Sequence, residues 1–382
     1  MSTALINGRV LTLSGWRDDA AVLIEGGRIT DVCAASDARV RVAEQHDLAG
    51  GSLLPGFIDC QVNGGGGVLF NTTPTVEGIR AIVAAHRRYG TTGLLPTLIS
   101  DSFQVMREAI GAVDAAMAEG LPGVLGIHIE GPYIAPARKG VHHESSLRLP
   151  DASEIALTGS LKRGRTLITL APERVPTEIV RTLVAAGVIV AIGHTAGDYI
   201  SVRRALDVGA RGFTHLYNAM TPLQSREPGA VGTALEDRES WCGIIVDGHH
   251  VHPASLKVAL AAKPRGKLFL VTDAMPPVGA TEPSFVLNGE TITVQDGIAR
   301  TADGVLAGSV ISMIDAVRNC VELLGLPLEE AARMASTYPA DFLELGKSHG
   351  RIAAGYRADF TLIDDAFHVQ KTWISGECQD TA

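Results

Sequence analysis

VIVAIGHTAGDYISVRRALDVGARGFTHLYNAM, residues 188–220, reads as one strand–helix–strand unit. Val188 to Ile192 is a continuous apolar run rich in β-branched residues, as a strand buried on both faces requires. DYISVRRALDVGA (198–210) then carries an amphipathic helical pattern and closes on a glycine suited to a helix C-terminus. A second strand-like run starts at Gly212. Strands that alternate with helices in this way favour a parallel α/β fold.

The pattern extends in both directions. SLLPGFIDCQVN (52–63), TTGLLPTLIS (91–100), GVLGIHIEGP (123–132) and TLITLAPE (166–173) precede this unit, and CGIIVDGHH (242–250) and KLFLVTDAM (267–275) follow it. With VIVAIGH and GFTHLYNAM they make eight candidate strands, separated by amphipathic segments such as VEGIRAIVAAHRRYG (76–90). The expected fold class is α/β, a (β/α)8 TIM barrel at residues 55–350. The chain ends are β-rich: ALINGRVLTL (4–13) and AAVLIEGGRITDV (20–32) at one, RADFTLIDD (357–365) and HVQKTWISGE (368–377) at the other. Residues 1–54 and 351–382 are therefore expected to build one small β-sandwich domain, with hairpin-type turns at Asn7-Gly8 and Gly26-Gly27. SFVLNGETITVQDGIAR (284–300), after the eighth strand, reads as a β-hairpin insertion turning at Asn288-Gly289.

At 382 residues, 46% hydrophobic and 20% charged, the chain suits a large barrel plus a smaller domain. A net charge of −9 argues against nucleic acid or anionic membrane as a partner but leaves room for a small anion at a locally positive site. No uncharged apolar run reaches the length of a membrane span, and MSTALINGRVLTL lacks the pattern of a signal peptide. Cys33, Cys60, Cys242, Cys320 and Cys378 are odd in number, scattered and without a C-x-x-C pair, so a reducing cytoplasm is the expected location. Cys60 reads as core.

The polar residues that end the strands are the informative ones. The third strand ends in Glu130, the fifth in His194, the sixth in His215 and the eighth in Asp273. The C-terminal strand ends of such a barrel converge on one site, so four side chains far apart in sequence meet. Taken singly, a histidine after a strand is more often structural, and an aspartate there is often a helix cap. Taken together, two imidazoles and a carboxylate fit one divalent ion such as Zn2+ with a position open for water.

These segments resemble a known family. PGFID (55–59), HIEGP (128–132), GHT (193–195), THLYNAM (214–220), VTDA (271–274) and the G-x-I-x-x-G-x-x-A-D stretch from Gly350 to Asp359 are similar to the N-acetylglucosamine-6-phosphate deacetylases of the amidohydrolase superfamily. The resemblance implies a metal-dependent linear-amide hydrolase releasing acetate and glucosamine 6-phosphate, in amino-sugar catabolism and cell-wall recycling. It implies one divalent ion per subunit on Glu130, His194 and His215, preferentially Zn2+ with Fe2+, Co2+ or Mn2+ as alternatives. Gln61 and Asn63 stand where many relatives carry a two-metal H-x-H, which favours one metal. Asp273 is the expected general acid–base, and His142 the donor over the scissile carbonyl. Substrate contacts are expected from Gln61, Asn63, His142, Asn218 and Ala219, and from Arg226, His250, Leu306, Ala307 and Gly308, with Arg226 and His250 toward the phosphate. Of His249, His250 and His252, only His250 is expected to face the site. The glycines at 64–67 lack a Walker ending and read as a flexible loop. The resemblance also implies a homodimer. An N-acetylgalactosamine-6-phosphate deacetylase, a D-aminoacylase and a non-catalytic barrel are the competing readings.

Overall fold

In the computed structural model, which describes residues 2–380, eight parallel strands follow one another around a barrel. They are β1 (Phe57–Val62), β2 (Thr91–Ile99), β3 (Gly126–Glu130), β4 (Arg165–Leu170), β5 (Ile189–Ile192), β6 (Gly212–Phe213), β7 (Trp241–Ile244) and β8 (Leu268–Leu270). The ring closes just past β8, where Asp273 N donates to Gln61 O at 3.0 Å and Asn63 N to Ala274 O at 2.9 Å. Every residue of β1, β2, β3 and β5 is buried, which is why these runs read as apolar throughout rather than alternating. Outer helices begin at side-chain caps: Thr75 for Val76–Arg87, Ser102 for Phe103–Ala118 and Asp198 for Tyr199–Asp207.

SLLPGFIDCQVN is two strands rather than one. Ser52–Pro55 pairs with Arg9–Thr12 and Phe360–Ile363, and the chain then passes Gly56 into β1. A Cβ at Gly56 would overlap the Thr92 side chain, so only glycine permits this passage. The chain ends form two sheets. One holds Thr3–Ile6, Ala20–Glu25, Arg28–Ala34 and Glu44–Asp47; the other joins Arg9–Thr12, Gly15–Arg17 and Ser52–Pro55 to Phe360–Ile363, Val369–Ile374 and Glu377–Asp380. Leu5, Val22, Ile29, Leu53, Phe360 and Trp373 share the core between them, making a sandwich of both termini. Residues 1, 381 and 382 lie outside the described residues.

Gly26-Gly27 closes a hairpin, with φ of 57° and 76° matching the twist of the paired strands. Asn7-Gly8 does not: Thr3–Ile6 and Arg9–Thr12 lie in different sheets, and Asn7, at φ 61°, carries the chain from one to the other. The insertion after β8 has four strands rather than two, Ser284–Leu287, Glu290–Gln295, Ile298–Arg300 and Leu306–Ser309. It turns at Asn288-Gly289 and again at Asp296-Gly297, all four at positive φ. Phe285, Leu287 and Ile292 pack on Leu69, Ile99 and Met275, seating it over the C-terminal end of the barrel.

The glycine segment after β1 is held rather than flexible. Gly64–Gly65 pairs with Val68–Leu69, and Gly66 N and Gly67 N donate to Val278 O and Pro276 O. With those amides used, the loop has no cradle for phosphate. His86 anchors it from the helix: Nε2 meets Gly64 O at 2.9 Å, while Nδ1 is buried without a partner. A neutral ring satisfies this geometry by donating from Nε2. A charged ring would bury a second, unpaired N–H, and burial accordingly pushes the His86 pKa down to about 4 from 6.5. The folded value lies below the unfolded one, so this contribution is full above pH 6.5 and fades as pH falls toward 4. Between pH 7.5 and 5 we expect His86 to cost about 2 kcal/mol of stability, at roughly 1.4 kcal/mol per pKa unit. Guanidinium melts should show a smaller acid loss for His86→Gln, which keeps a donor and cannot titrate; equal losses would remove His86 as the cause.

Candidate active site

Glu130 is the last residue of β3, and His194, His215 and Asp273 lie just beyond β5, β6 and β8. His194, His215, Tyr217, Ala219 and Asp273 all have positive φ, between 34° and 80°. Non-glycine residues in that region cost of order 1–3 kcal/mol each and persist where the surroundings over-determine them. Here one rim of the barrel carries five of them, and four, His194, His215, Ala219 and Asp273, line the cavity at the mouth, while the Tyr217 hydroxyl donates to Ser255 O.

Glu130 Oε1 lies 3.0 Å from His215 Nε2 and 3.2 Å from His194 Nε2, and the two nitrogens are 3.0 Å apart. All three residues are buried. His194 Nδ1 sits 2.8 Å from Arg138 O, a carbonyl that only accepts, so the neutral ring carries its proton there. Its Nε2 is then a bare lone pair facing a carboxylate oxygen and a second imidazole. Burial alone would raise the Glu130 carboxyl, but the facing His194 and His215 imidazoles outweigh it and hold the group well below its ordinary range. Burial would lower His215, yet the Glu130 contact raises it. The cluster thus attracts positive charge. One divalent cation among the three atoms fits this donor set, and no other such group occurs among the described residues.

Asp273 stands beside the triad. Its Oδ1 accepts from Asn63 Nδ2 at 2.6 Å and Gln61 Nε2 at 3.1 Å, and the same Gln61 nitrogen reaches Glu130 Oε1 at 3.0 Å. Gln61 and Asn63 therefore hold the two carboxylates. Burial, then the neighbouring Glu130 charge, pushes Asp273 up to about 6. Such a carboxyl both takes and returns a proton near neutral pH.

His142, in the loop after β3, is buried with its ring centroid 4.6 Å from that of His194. Ser100 N donates to His142 Nδ1 at 3.2 Å, so the neutral ring carries its proton on Nε2. Burial, then the His194 charge, pushes its pKa down to about 3, which keeps it a neutral donor. In the loop after β7, His250 Nδ1 contacts Asp247 Oδ2 at 2.5 Å and His250 lines the site. Burial would raise Asp247, but the His250 hydrogen bond and charge hold it down at about 2. His249 is exposed, and His252 caps the helix Pro253–Ala262 by accepting from Ala254 N.

One cavity of about 350 Å3 joins these groups. Glu130, His194, His215 and Asp273 line it together with Asn63, Asn218, Ala219, His250, Leu306 and Gly308. Gln61, His142 and Ala307 are buried and off its lining. Arg226 is neither lining nor buried: it lies on an exposed turn from Pro222 to Glu227, off the lining of this chain's cavity. Its sequence neighbour Glu227 is engaged elsewhere, capping Tyr199 N and Gly229 N at 2.9 Å. Sequence reasoning passed over Arg138, which lines the cavity from the short helical turn Pro136–Arg138. It also passed over Ser100, which sets the His142 tautomer. No spacing signal in the sequence distinguishes Arg138 from a solvated arginine.

Residues 52–378 match the amidohydrolase family. The chain is 42% identical to an N-acetylgalactosamine-6-phosphate deacetylase of Shewanella sp., over 97% of this chain and 94% of that one. It is 38% identical to the N-acetylglucosamine-6-phosphate deacetylase of Bos taurus, over 93% and 90% respectively. The chain belongs to the N-acetylglucosamine-6-phosphate deacetylase family of amidohydrolases. The crystal structure of such a deacetylase from Pasteurella multocida covers 100% of both chains with a TM-score of 0.96 at 33% identity. Membership in this deacetylase family makes the chain a hydrolase and sets aside the non-catalytic barrel.

Proposed function

We propose that this enzyme removes the acetyl group of N-acetyl-D-glucosamine 6-phosphate, giving D-glucosamine 6-phosphate and acetate, in amino-sugar catabolism and cell-wall recycling. The observation that carries the reading is the meeting of Glu130, His194 and His215 within 3.2 Å, with Asp273 tied to their edge through Gln61. Glu130, His194 and His215 would hold one divalent cation, and a carboxylate with two imidazoles favours Zn2+, with Fe2+, Co2+ or Mn2+ able to replace it. A cation there lowers the pKa of water and polarises an amide carbonyl. Asp273 takes the proton of the attacking water and delivers it to the amide nitrogen as the C–N bond breaks, so the sugar leaves as the amine. His142 donates from Nε2 to the oxyanion that forms on the carbonyl. Gln61 and Asn63 keep the Asp273 carboxylate aimed.

The phosphate end falls to Asn218, Ala219 and His250, with Leu306, Ala307 and Gly308 closing the sugar pocket from the insertion. We propose a homodimer whose second copy presents Arg226 to this phosphate, because Arg226 is exposed and off the lining of its own cavity. Supporting this are Leu223 and Ile200, exposed at 55% and 56% on the two segments joined by the Tyr199–Glu227 hydrogen bond. We also propose a cytoplasmic location: none of the described helices is long and apolar enough to cross a membrane, and all five cysteines are free. The domain division we propose is 1–54 with 351–382, against 55–350.

Acetate release measured across N-acetylhexosamines, with and without the 6-phosphate, tests the reading. Phosphorylated N-acetylglucosamine should lead in kcat/KM; a preference for unphosphorylated sugars or N-acyl amino acids overturns it. The 42% identity to a galactosamine-type relative favours, as a second reading, the C4 epimer, and its lead over the glucose form would decide for that. Arg226→Ala should lose about 10–150-fold in kcat/KM on the phosphorylated sugar, the value of one charge-assisted contact of roughly 1.5–3 kcal/mol. Turnover of unphosphorylated N-acetylglucosamine should stay unchanged; equal losses on both would move Arg226 out of phosphate recognition.

A further inference from the structure

Asp59 is a carboxylate with 0% exposure inside the barrel, and the chemistry above makes no use of it. It has no cationic partner among the described residues. Instead it faces the seam between β1 and the segment after β8. Its Oδ2 accepts from Thr272 Oγ1 at 2.5 Å, and its Oδ1 accepts from Thr272 N at 3.3 Å and Gln61 N at 3.2 Å. Thr272 immediately precedes Asp273, and Gln61 is the amide that holds the Asp273 carboxylate. Thr272 Oγ1 also accepts from Ala274 N at 3.2 Å, and Thr272 O accepts from Ser309 Oγ at 2.5 Å. The Thr272 hydroxyl before Asp273 thus accepts from the Ala274 N–H after it, and that hydroxyl donates to Asp59. Asp273 itself sits at φ 54°, a conformation an L residue keeps only when its neighbours are fixed.

We propose that Asp59 is a positioning residue for the acid–base group: through Thr272 and the Gln61 backbone it fixes the left-handed turn that aims the Asp273 carboxylate. This rests on Asp273 acting as the acid–base. A buried carboxylate suits the task because it accepts only, and each of the three groups facing it donates. An asparagine keeps one acceptor oxygen for the two N–H groups and turns its own N–H on the Thr272 hydroxyl, reversing the bond that holds that side chain.

The test is steady-state kinetics of the cation-loaded enzyme, normalised to folded protein, on whichever N-acetylhexosamine 6-phosphate the wild type hydrolyses best. Asp59→Asn should lose at least tenfold in kcat while KM and bound-cation content stay within twofold. Thr272→Val, which lacks the hydroxyl, should do the same, and Thr272→Ser, which keeps it, should remain within threefold of wild type. Because the two groups act through one contact, Asp59→Asn with Thr272→Val should lose much less than the product of the single losses. If Asp59→Asn fails to fold, the Thr272 pair alone decides, since Val and Ser differ in the hydroxyl that Asp59 binds. A wild-type kcat in Asp59→Asn or in Thr272→Val overturns the proposal, as does loss of cation in proportion to activity. If Asp273→Asn itself keeps activity, the acid–base reading fails first and the two failures are told apart.

Discussion

Asp273→Asn loses about 10²–10⁴-fold in kcat, the range typical of a general acid–base group, and keeps its cation. In the native side chain Oδ1 accepts both hydrogen bonds, from Asn63 Nδ2 and Gln61 Nε2, and an amide oxygen accepts them as well. Shape, aim and the cation site are therefore retained, and only the ability to take a proton is lost. Glu130, His194 and His215 contact one another without passing through Asp273, so cation content should match wild type. The pH profile gives a second reading. Burial and the Glu130 charge push the Asp273 carboxyl up to about 6, and the base form is the deprotonated one. Wild-type kcat/KM is therefore expected to be full above that pH and to fall below it. A bound cation favours the carboxylate and moves this acidic limb lower. The residual activity of the variant should lack the limb. Retention of more than a tenth of wild-type kcat would remove Asp273 as the base.

The barrel and the cation triad were legible because both follow from strong local physics. A strand buried on both faces must read as an apolar run, so a polar residue closing such a run stands out, as Glu130 closes GIHIE in β3. Chain order around a closed barrel then brings successive strand ends together. Polar groups inside the strands were not legible. Asp59 and His128 are fully buried, and only their partners on adjoining strands explain them: Thr272 for Asp59, Thr97 and Thr169 for His128. Those partners are up to 213 residues away. Turn signals carried conformation but not pairing: Asn7 does take a positive φ, yet which sheet the next strand joins depends on the core between Val10, Leu53 and Phe360. Arg226 shows the same limit in the site. Its residue type suits phosphate, but the turn from Pro222 to Glu227 decides where it points, and that turn is set by Glu227 reaching Tyr199 N and Gly229 N.

Glu130→Gln should separate the cation from the fold. The carboxylate is the one full negative charge among the three ligand atoms, and both imidazole nitrogens converge on its Oε1. Neutral amides are poor ligands for transition metals. Losing even an outer partner of a ligand weakens metal binding about 10–100-fold, so replacing a ligand should cost at least about 100-fold. The expected readout is thermal. A cation present at about 1,000 times its Kd stabilises the native state by roughly 4 kcal/mol, and a 100-fold weaker site at the same concentration by only about 1.4 kcal/mol. Added Zn2+ should therefore raise the Tm of the metal-free wild type far more than that of the variant. The metal-free variant should not melt below the metal-free wild type. It removes a buried charge, while its amide oxygen, in the place of Oε1, still accepts from His215 Nε2 and Gln61 Nε2. Hydrolysis should fall with occupancy and recover in part at high Zn2+. An undiminished Zn2+-induced rise in Tm would show that the cation binds elsewhere, and a metal-free variant that melts well below the metal-free wild type would make Glu130 a structural residue first.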